Sequence, residues 1–304
     1  MSVYVVGHKS PDTDSVASAI AYAALKKAQG VDVVPAMQGE TNPETQLVLD
    51  RFGFAAPELL TDAAGKKLML VDFSDLAQGP ANMTDVVEVV DHHKIGDVTT
   101  NGPIFFYAKP VGCTCTVINE IYKTNNIAID KKVAGVMTAA ILSDTVNFKS
   151  PTCTPEDKAA VKELVAIAGI TDTDGLFMDM LKAKSAIDGL PINDLLNRDY
   201  KDFDMNGKKV GIGQLELATL DQAAGVRAEL MKALEGLKAS GRHTVLFMLT
   251  DVVKEGTDLL VVSEEPALIE KAFNGKLTNG AMWVPGMMSR KKQTVPPMQK
   301  AFGC

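Results

Sequence analysis

The chain has 304 residues, of which 46% are hydrophobic and 23% charged, and its formal net charge is −7. The length allows one large domain or two of ordinary size, and the composition is typical of a globular protein. The negative charge argues against nonspecific binding to nucleic acid, and no apolar run reaches the ~18 residues that cross a bilayer. We therefore expect a cytoplasmic protein without nucleic-acid or membrane partners.

Short β-rich runs alternate with helical patterns in the first half of the chain. Strands are predicted at VYVVG (3–7), VDVVPAM (31–37), KLMLVDF (67–73) and VVEVVDHH (86–93), and an alanine-rich helix over 15–28. Continuous apolar strands separated by helices predict an α/β domain whose parallel sheet carries helices on both faces. In such a sheet, ligands bind beyond the carboxyl ends of the strands.

The second half begins with mostly helical patterns, and its most apolar segment (133–148) predicts a core helix that ends at or shortly after Asp144. A segment with glycine and proline predicts a linker at 185–191 between a first domain (1–184) and a smaller α/β domain (192–304). Further predictions are a hairpin over 203–217 that turns at Asn206-Gly207, a long helix over 219–239, strands at 244–253 and 258–264, and a helix near 265–273.

The cysteines do not follow a disulfide or zinc pattern. Cys113 and Cys115 are one residue apart, and Cys153 and Cys304 lie elsewhere. This spacing suits neither a disulfide framework nor a CxxC site, so we predict reduced thiols, as in cytosolic proteins.

Acidic and imidazole residues recur where the predicted strands and the apolar helix end. Three of the four histidines belong to this set. Its members are His8, Asp12, Asp14, Asp72, Asp91, His92, His93 and Asp144. Taken singly, Asp12 or Asp14 is better explained as a helix cap or a turn residue. The carboxylates of the complete set would repel one another unless cations lay among them. Mixed imidazole and carboxylate ligands suit Mn²⁺, Co²⁺, Fe²⁺ or Zn²⁺ better than Mg²⁺.

Positive charge is concentrated near the C-terminus, in SRKKQ (289–293). One interpretation is a solvated basic loop. The other is a binding site for an anionic substrate, in which Arg290 binds phosphate oxygens in bidentate fashion and Lys201 and Lys291 act as point charges.

The motifs GHKSPDTDS, VDFSD, VVDHHKIGD, PVGCTCT, ILSDTVNFKSPTCT and SRKKQ extend over nearly the whole chain. With them the chain resembles the manganese-dependent (family II) inorganic pyrophosphatases of the DHH phosphoesterase superfamily. The resemblance implies a catalytic DHH domain and a substrate-binding domain, with the active site in the cleft between them. It also implies a cytoplasmic homodimer that associates through the N-terminal domain.

The resemblance further implies hydrolysis of pyrophosphate to two orthophosphates by a hydroxide that bridges two metal ions. The implied cofactors are two Mn²⁺, with Co²⁺ as an alternative, and additional Mg²⁺ with the substrate. One metal would be held by His8, Asp12 and Asp72, and the other by Asp14, Asp72, His92 and Asp144. Pyrophosphate would be bound by His93, Lys201, Arg290 and Lys291. Asp91, grouped with His93 as catalytic, would orient an imidazole.

The sequence departs from the family pattern after the bridging aspartate. Asp-His-Asn-Glu is replaced by Asp72-Phe73-Ser74-Asp75, which removes a polar neighbour and is expected to affect metal affinity and turnover. Two other functions remain open. A DHH phosphodiesterase for short oligonucleotides or cyclic dinucleotides would typically carry a Gly-rich C-terminal motif with a histidine, but His243 lies outside any such run. The other is a non-catalytic protein that binds metal or polyphosphate.

Overall fold

A computed structural model of the chain describes residues 2–304, which divide into two compact units, residues 2–184 and Ser185–Cys304. Each unit is built on its own β-sheet. The strands of the first unit are β1 (Val3–Lys9), β2 (Val33–Gln38), β3 (Glu58–Leu59), β4 (Lys67–Val71), β5 (Asp85–Asp91) and β6 (Phe105–Ala108). Its helices are α1 (Thr13–Ala28), α2 (Pro43–Phe52), α3 (Thr114–Thr124), α4 (Lys131–Asp144), α5 (Pro155–Ala168) and α6 (Thr173–Lys184).

The predicted parallel sheet is confirmed, and its strand order is β3-β2-β1-β4-β5-β6. From β1 the chain proceeds outward to β2 and β3, then returns to the other side of β1 as β4. The order therefore reverses between β1 and β4, and a crevice at the carboxyl ends of such strands is the usual ligand site of this fold. His8 lies near the end of β1, and Asp72 directly follows β4.

Both faces of this sheet are buried, as the continuous apolar strands predicted. Val5 and Met69 belong to the cluster to which all six helices contribute, whereas the alternate residues Val6 and Leu70 belong to a second cluster. That second face is covered by loop residues such as Phe73, in place of the second helical layer that the pattern predicted. The connection from β4 to β5 contains only a 3₁₀ turn, Leu76–Gln78, and so supplies no helix for that face.

The second unit has a mixed sheet of order β11-β10-β9-β8-β7, in which only β8 and β9 are parallel among the described pairs. Its strands are β7 (Tyr200–Met205), β8 (Lys208–Leu217), β9 (Thr244–Asp251), β10 (Gly256–Ser263) and β11 (Ala281–Pro285). Its helices are α7 (Ile192–Asn197), α8 (Arg227–Ala239), α9 (Pro266–Phe273) and α10 (Val295–Phe302), the last preceded by a π-helical turn at Arg290–Thr294. No helix in residues 2–304 is both long and apolar enough to span a membrane.

The predicted hairpin is confirmed as β7 and β8, joined at Asn206 and Gly207, which both have positive φ as a type I′ turn requires. The single long helix over 219–239 is wrong. A 3₁₀ turn (Leu220–Ala223) comes first, and α8 starts only at Arg227. Gly225 disfavours a continuous helix. The Leu220 N–H donates to the carboxylate of Asp251, which keeps the 3₁₀ turn separate from α8.

Candidate metal centre

His8, Asp12 and Asp14 come from the β1–α1 connection. Asp12 is the N-cap of α1 and accepts from the Ser15 N–H at 2.9 Å, so the interpretation as a helix cap is correct for this residue. Asp14 lies in the first turn and is fully buried. His8 Nε2 is 3.6 Å from Asp12 Oδ1 and 3.3 Å from Asp72 Oδ2. The side chains of Asp12 and His8 therefore lie close to Asp72, the residue that follows β4.

Asp72 lies between two imidazoles. It adopts a left-handed conformation (φ 69°), and its N–H donates to the carbonyl oxygen of Val90 on the neighbouring strand β5. Its Oδ2 faces His8, whereas its Oδ1 is 3.4 Å from His92 Nε2. The two oxygens of one carboxylate thus belong to two groups of potential ligands.

The second group is completed by side chains from three other elements. His92 Nε2 lies 4.0 Å from Asp14 Oδ2 and 3.9 Å from Asp144 Oδ2. Asp144 is the last residue of α4, where the apolar helix was predicted to end. All six predicted metal ligands are thus brought together, and we call them the candidate metal centre: His8, Asp12, Asp14, Asp72, His92 and Asp144.

The hydrogen bonds of the imidazoles suit metal binding. His8 Nδ1 is 2.7 Å from the carbonyl oxygen of Lys9, and His92 Nδ1 is 2.9 Å from that of Val111. A carbonyl oxygen only accepts, so each Nδ1 carries a proton, and each ring, once it is neutral, presents its Nε2 lone pair to the cluster. Four carboxylates and two such imidazoles fit two divalent cations, whose charge would balance that of the carboxylates.

Without a cation, the charges of the cluster shift its pKa values strongly. Burial lowers the pKa of His92, but its contacts with Asp72 and Asp14 outweigh burial and raise it to about 9. Burial and the charge of Asp72 raise the pKa of Asp14 to about 6. Burial and the charge of Asp14 likewise raise the pKa of Asp144. The pKa of Asp72 is lowered instead. Burial favours its neutral form, but the bonds to His8 and His92 hold its pKa well below the usual range. The protein thus holds protons where a cation would otherwise offset the charge.

Asp91 and His93 form a separate pair beside these ligands. Asp91 Oδ1 is 3.0 Å from His93 Nδ1 and accepts the backbone N–H groups of His92 and His93. The bond to Asp91 raises the pKa of His93. Asp91 therefore orients an imidazole, whose ring is half exposed.

A cavity of about 260 Å³ opens beside the cluster. Its lining residues are His8, Lys9, Asp72, Phe73, Ser74, Asp75, Gln78, His93 and Lys94. Phe73 is nearly fully buried and forms one wall. Lys9 and Lys94 are exposed, bring positive charge to the cavity and were missed at the sequence level, although Lys94 directly follows the Asp-His-His motif. The side chains of two lysines and the imidazoles of His8 and His93 thus line the same cavity.

The predicted substrate-binding cations of the second unit lie on different elements. Lys201 is exposed on β7, and Lys291 is exposed in the π-helical turn. Arg290 is buried: its guanidinium pairs with Asp199, and its backbone N–H donates to the side-chain oxygen of Gln214. Its orientation is therefore fixed by contacts within the second unit.

Thr114 is a further residue that sequence reasoning missed. Its backbone N–H donates to Asp14, and its hydroxyl donates to Asp72. Its only signal in the sequence is its place in PVGCTCT, a motif whose spacing does not reveal which residues it contacts.

Two domain families match the chain. Residues 2–141 match the DHH family N-terminal domain, and residues 178–301 match the DHHA2 domain. A parallel-sheet domain with an Asp-His-His cluster, followed by a DHHA2 domain, places the chain in the DHH class. A solved structure of an exopolyphosphatase-related protein from Bacteroides fragilis shares this fold at 16% identity, with a TM-score of 0.51 over 99% of this chain and 91% of that chain.

Relatives with higher sequence identity identify the family within the DHH class. A manganese-dependent inorganic pyrophosphatase of Methanothrix thermoacetophila is 50% identical over 99% of this chain and 98% of its own length. One of Methanocaldococcus jannaschii is 45% identical over 98% of this chain and 99% of its own length. A Methanococcus jannaschii crystal structure, described as a family II inorganic pyrophosphatase, has a TM-score of 0.59 at 44% identity and covers 99% of both chains. The chain belongs to the family of manganese-dependent inorganic pyrophosphatases, as its motifs predicted.

Proposed function

We propose that this protein hydrolyses inorganic pyrophosphate to two orthophosphates and that it does so with two divalent cations at the candidate metal centre. Relatives with this named activity match the chain over nearly its whole length. The observation that carries the two-cation proposal is the position of Asp72, whose oxygens face the imidazoles of His8 and His92 separately. One carboxylate can therefore serve both cations.

His8, Asp12 and Asp72 would hold one cation, and Asp14, Asp72, His92 and Asp144 the other. Mn²⁺ suits the mixed imidazole and carboxylate donors and agrees with the names of the relatives; Co²⁺ could replace it, and Mg²⁺ would accompany the substrate. When bound, such a pair lowers the pKa of a water and offsets charge on phosphate oxygens. The protein contributes fixed tautomers at both ligating imidazoles, so that their Nε2 atoms are available without rearrangement.

His93 would act on the substrate rather than on a cation. Asp91 holds its Nδ1, which leaves Nε2 to donate to a phosphate oxygen when the ring is protonated. The raised pKa of His93 increases the protonated fraction near neutral pH. Asp91 thereby serves catalysis through His93, because it fixes both the ring and the backbone of the Asp-His-His turn.

Lys201, Arg290 and Lys291 would bind the phosphate oxygens. The fixed guanidinium of Arg290 suits planar, bidentate recognition, whereas the two exposed lysines suit neutralisation of charge. We propose residues 1–184 as the catalytic domain, 185–191 as a linker and 192–304 as the substrate-binding domain. In support, no helix or strand is described between Lys184 and Ile192.

The experiment uses the purified protein after metal removal and measures phosphate release from pyrophosphate and mononucleotide release from a linear dinucleotide. Mn²⁺, Co²⁺ and Mg²⁺ are each added back separately. We expect rapid release from pyrophosphate with Mn²⁺ or Co²⁺, and little cleavage of the dinucleotide. The opposite preference would favour a phosphodiesterase, and a protein that binds Mn²⁺ but cleaves neither substrate would be a binding protein.

We also propose a homodimer that associates along β6. This strand lies at the edge of the first sheet, and its Phe105 and Phe106 side chains are 45% and 37% exposed. A second copy of β6 would satisfy the backbone groups of the open edge and cover both rings. Sedimentation of a Phe105→Glu/Phe106→Glu double variant should give a monomer. A Trp283→Glu variant is the control, since Trp283 is 43% exposed on the edge strand β11 of the other sheet. A double variant that remains dimeric would refute this interface.

The cytoplasm is the proposed location. All four cysteines are free, and the buried thiols of Cys113 and Cys115 lie against Asp14 of the candidate metal centre. Free thiols persist where the cell keeps them reduced.

A further inference from the structure

Helix α3 begins without a cap of its own. Its N-cap residue, Cys113, makes no hydrogen bond from its side chain to the first turn. The carboxylate of Asp14, from α1, takes that place: Oδ2 accepts from the Thr114 N–H at 2.6 Å, and Oδ1 accepts from the Cys115 N–H at 3.2 Å. A helix N-terminus favours a carboxylate, because its first N–H groups lack partners and carry partial positive charge. The start of α3 therefore fixes one member of the candidate metal centre.

The side chain of Thr114 contacts a second member. Its hydroxyl lies 2.9 Å from Asp72 Oδ1, and because a carboxylate only accepts, the hydroxyl donates. Thr114 is fully buried, so no water competes for this bond. One residue thus holds two carboxylates that come from different elements and repel each other when no cation is present.

We propose that Thr114 is a positioning residue for the divalent cations, because its N–H fixes Asp14 and its hydroxyl fixes Asp72, the carboxylate shared by both ligand groups. The proposal rests on the ligand assignment made under the proposed function. The hydrogen bond uses one lone pair of Asp72 Oδ1 and leaves the other available. Without the hydroxyl, this buried carboxylate could rotate, and ordering it again would weaken cation binding.

Helix α3 contains a matched control. Thr116 lies two residues further on, is also buried, and donates its hydroxyl to a buried carboxylate, that of Asp157, at 2.6 Å. Asp157 is outside the candidate metal centre. Thr114→Val and Thr116→Val therefore each remove one buried hydroxyl–carboxylate bond from the same helix, and only the first touches a proposed ligand.

The experiment titrates Mn²⁺ alone into metal-free, full-length protein by calorimetry. Loss of a partner that orients a metal ligand costs ~10–100-fold in affinity, so we expect Thr114→Val to raise the Kd for Mn²⁺ by that factor. Thr114→Ser keeps the hydroxyl and should bind as the wild type does. Thr116→Val should lose thermal stability but keep its Mn²⁺ affinity. If circular dichroism shows that Thr114→Val is unfolded, Thr114→Ala replaces it with the same expectation.

Wild-type affinity in Thr114→Val or Thr114→Ala would overturn the proposal, and so would an equal loss in Thr116→Val, since the effect would then be general to α3. A wild-type chain that binds no Mn²⁺ would overturn it together with the ligand assignment. Because the readout is binding, a chain that shows the Thr114 effect but does not hydrolyse pyrophosphate would refute only the proposed activity.

Discussion

Arg290 and Asp199 form an ion pair in which Nη2 lies 2.7 Å from Oδ1, and Nη1 donates to the carbonyl oxygen of Asp199 at 2.6 Å. A longer bond joins Nη1 to the carbonyl oxygen of Ile212. Within the described part of the chain, these contacts use three of the five guanidinium N–H donors. The Nε–H and one Nη2–H remain, which is the pair that a guanidinium presents side-on to an oxyanion.

The first prediction concerns this remaining pair. Arg290→Lys keeps the positive charge but removes the paired Nε–H and Nη2–H donors. A hydrogen bond to a charged group contributes ~1.5–3 kcal/mol. We expect kcat/KM for pyrophosphate to fall ~10–100-fold, by the conversion of ~1.4 kcal/mol per factor of ten. Steady-state kinetics measure it. The control is Arg242→Lys, since Arg242 makes a similar two-point contact with Asp202 on the same sheet. Equal kinetics for the two variants would refute the role of Arg290.

The second prediction concerns the imidazoles. His92→Gln removes a proposed ligand, and we expect Mn²⁺ to bind at least ~100-fold more weakly, because the loss of a ligand's partner alone costs ~10–100-fold. Metal content after dialysis and calorimetry measure the change. His243→Gln should retain its metal, since His243 is not a proposed ligand and contacts Thr244 and Glu265 within the second unit. A His92 variant with its full metal content would contradict the assignment.

A third prediction follows from the protons held by the metal-free site. Burial lowers the pKa of His8 and His92, but the carboxylates around them raise these values to about 11 and about 9. Both rings are therefore protonated at neutral pH, and each must lose its Nε2 proton to bind a cation. Mn²⁺ affinity should rise by about tenfold per pH unit for each proton released, up to about pH 9 where binding displaces the proton of His92 and up to about pH 11 where it displaces that of His8. Calorimetry in two buffers of different ionisation enthalpy counts the protons. Affinity that does not change with pH would show that the rings are already neutral.

A fourth prediction concerns stability. The buried carboxylate of Asp157 accepts from Gly112 N, Thr116 Oγ1, Thr154 N and Thr154 Oγ1. Asp157→Ala leaves these donors unpaired, and those of Gly112 and Thr116 are buried, so we expect the free energy of unfolding to fall by ~3–5 kcal/mol. Urea unfolding followed by circular dichroism measures it. Asp130→Ala, which removes an exposed cap that accepts one N–H, should cost only ~0.5–2 kcal/mol. Similar losses in both variants would show that the network of Asp157 adds nothing beyond a cap.

Short edge strands and interrupted helices were the elements that local patterns failed to predict. Both β6 and β11 lie at the edge of a sheet and have only four and five residues, which is too short to show a clear alternation. The break before α8 depends on a hydrogen bond to Asp251, 31 residues away, which no local signal announces. The effect of Phe73 on metal affinity and turnover stays a prediction. Its ring is buried in an apolar cluster and also lines the cavity.

The sequence by itself determined the parallel sheet and the membership of the candidate metal centre. Apolar runs define the strands, and their carboxyl ends must meet at one edge, so His8, Asp72 and His92 had to lie close together. Only the tertiary structure decided what holds these ligands in place. Thr114 contacts the ligand Asp14 across 100 positions of the chain. The proposed substrate residue Arg290 is likewise fixed by Asp199, across 91 positions. Such contacts depend on how whole elements pack, because a hydrogen bond forms only where the folded backbone brings donor and acceptor together.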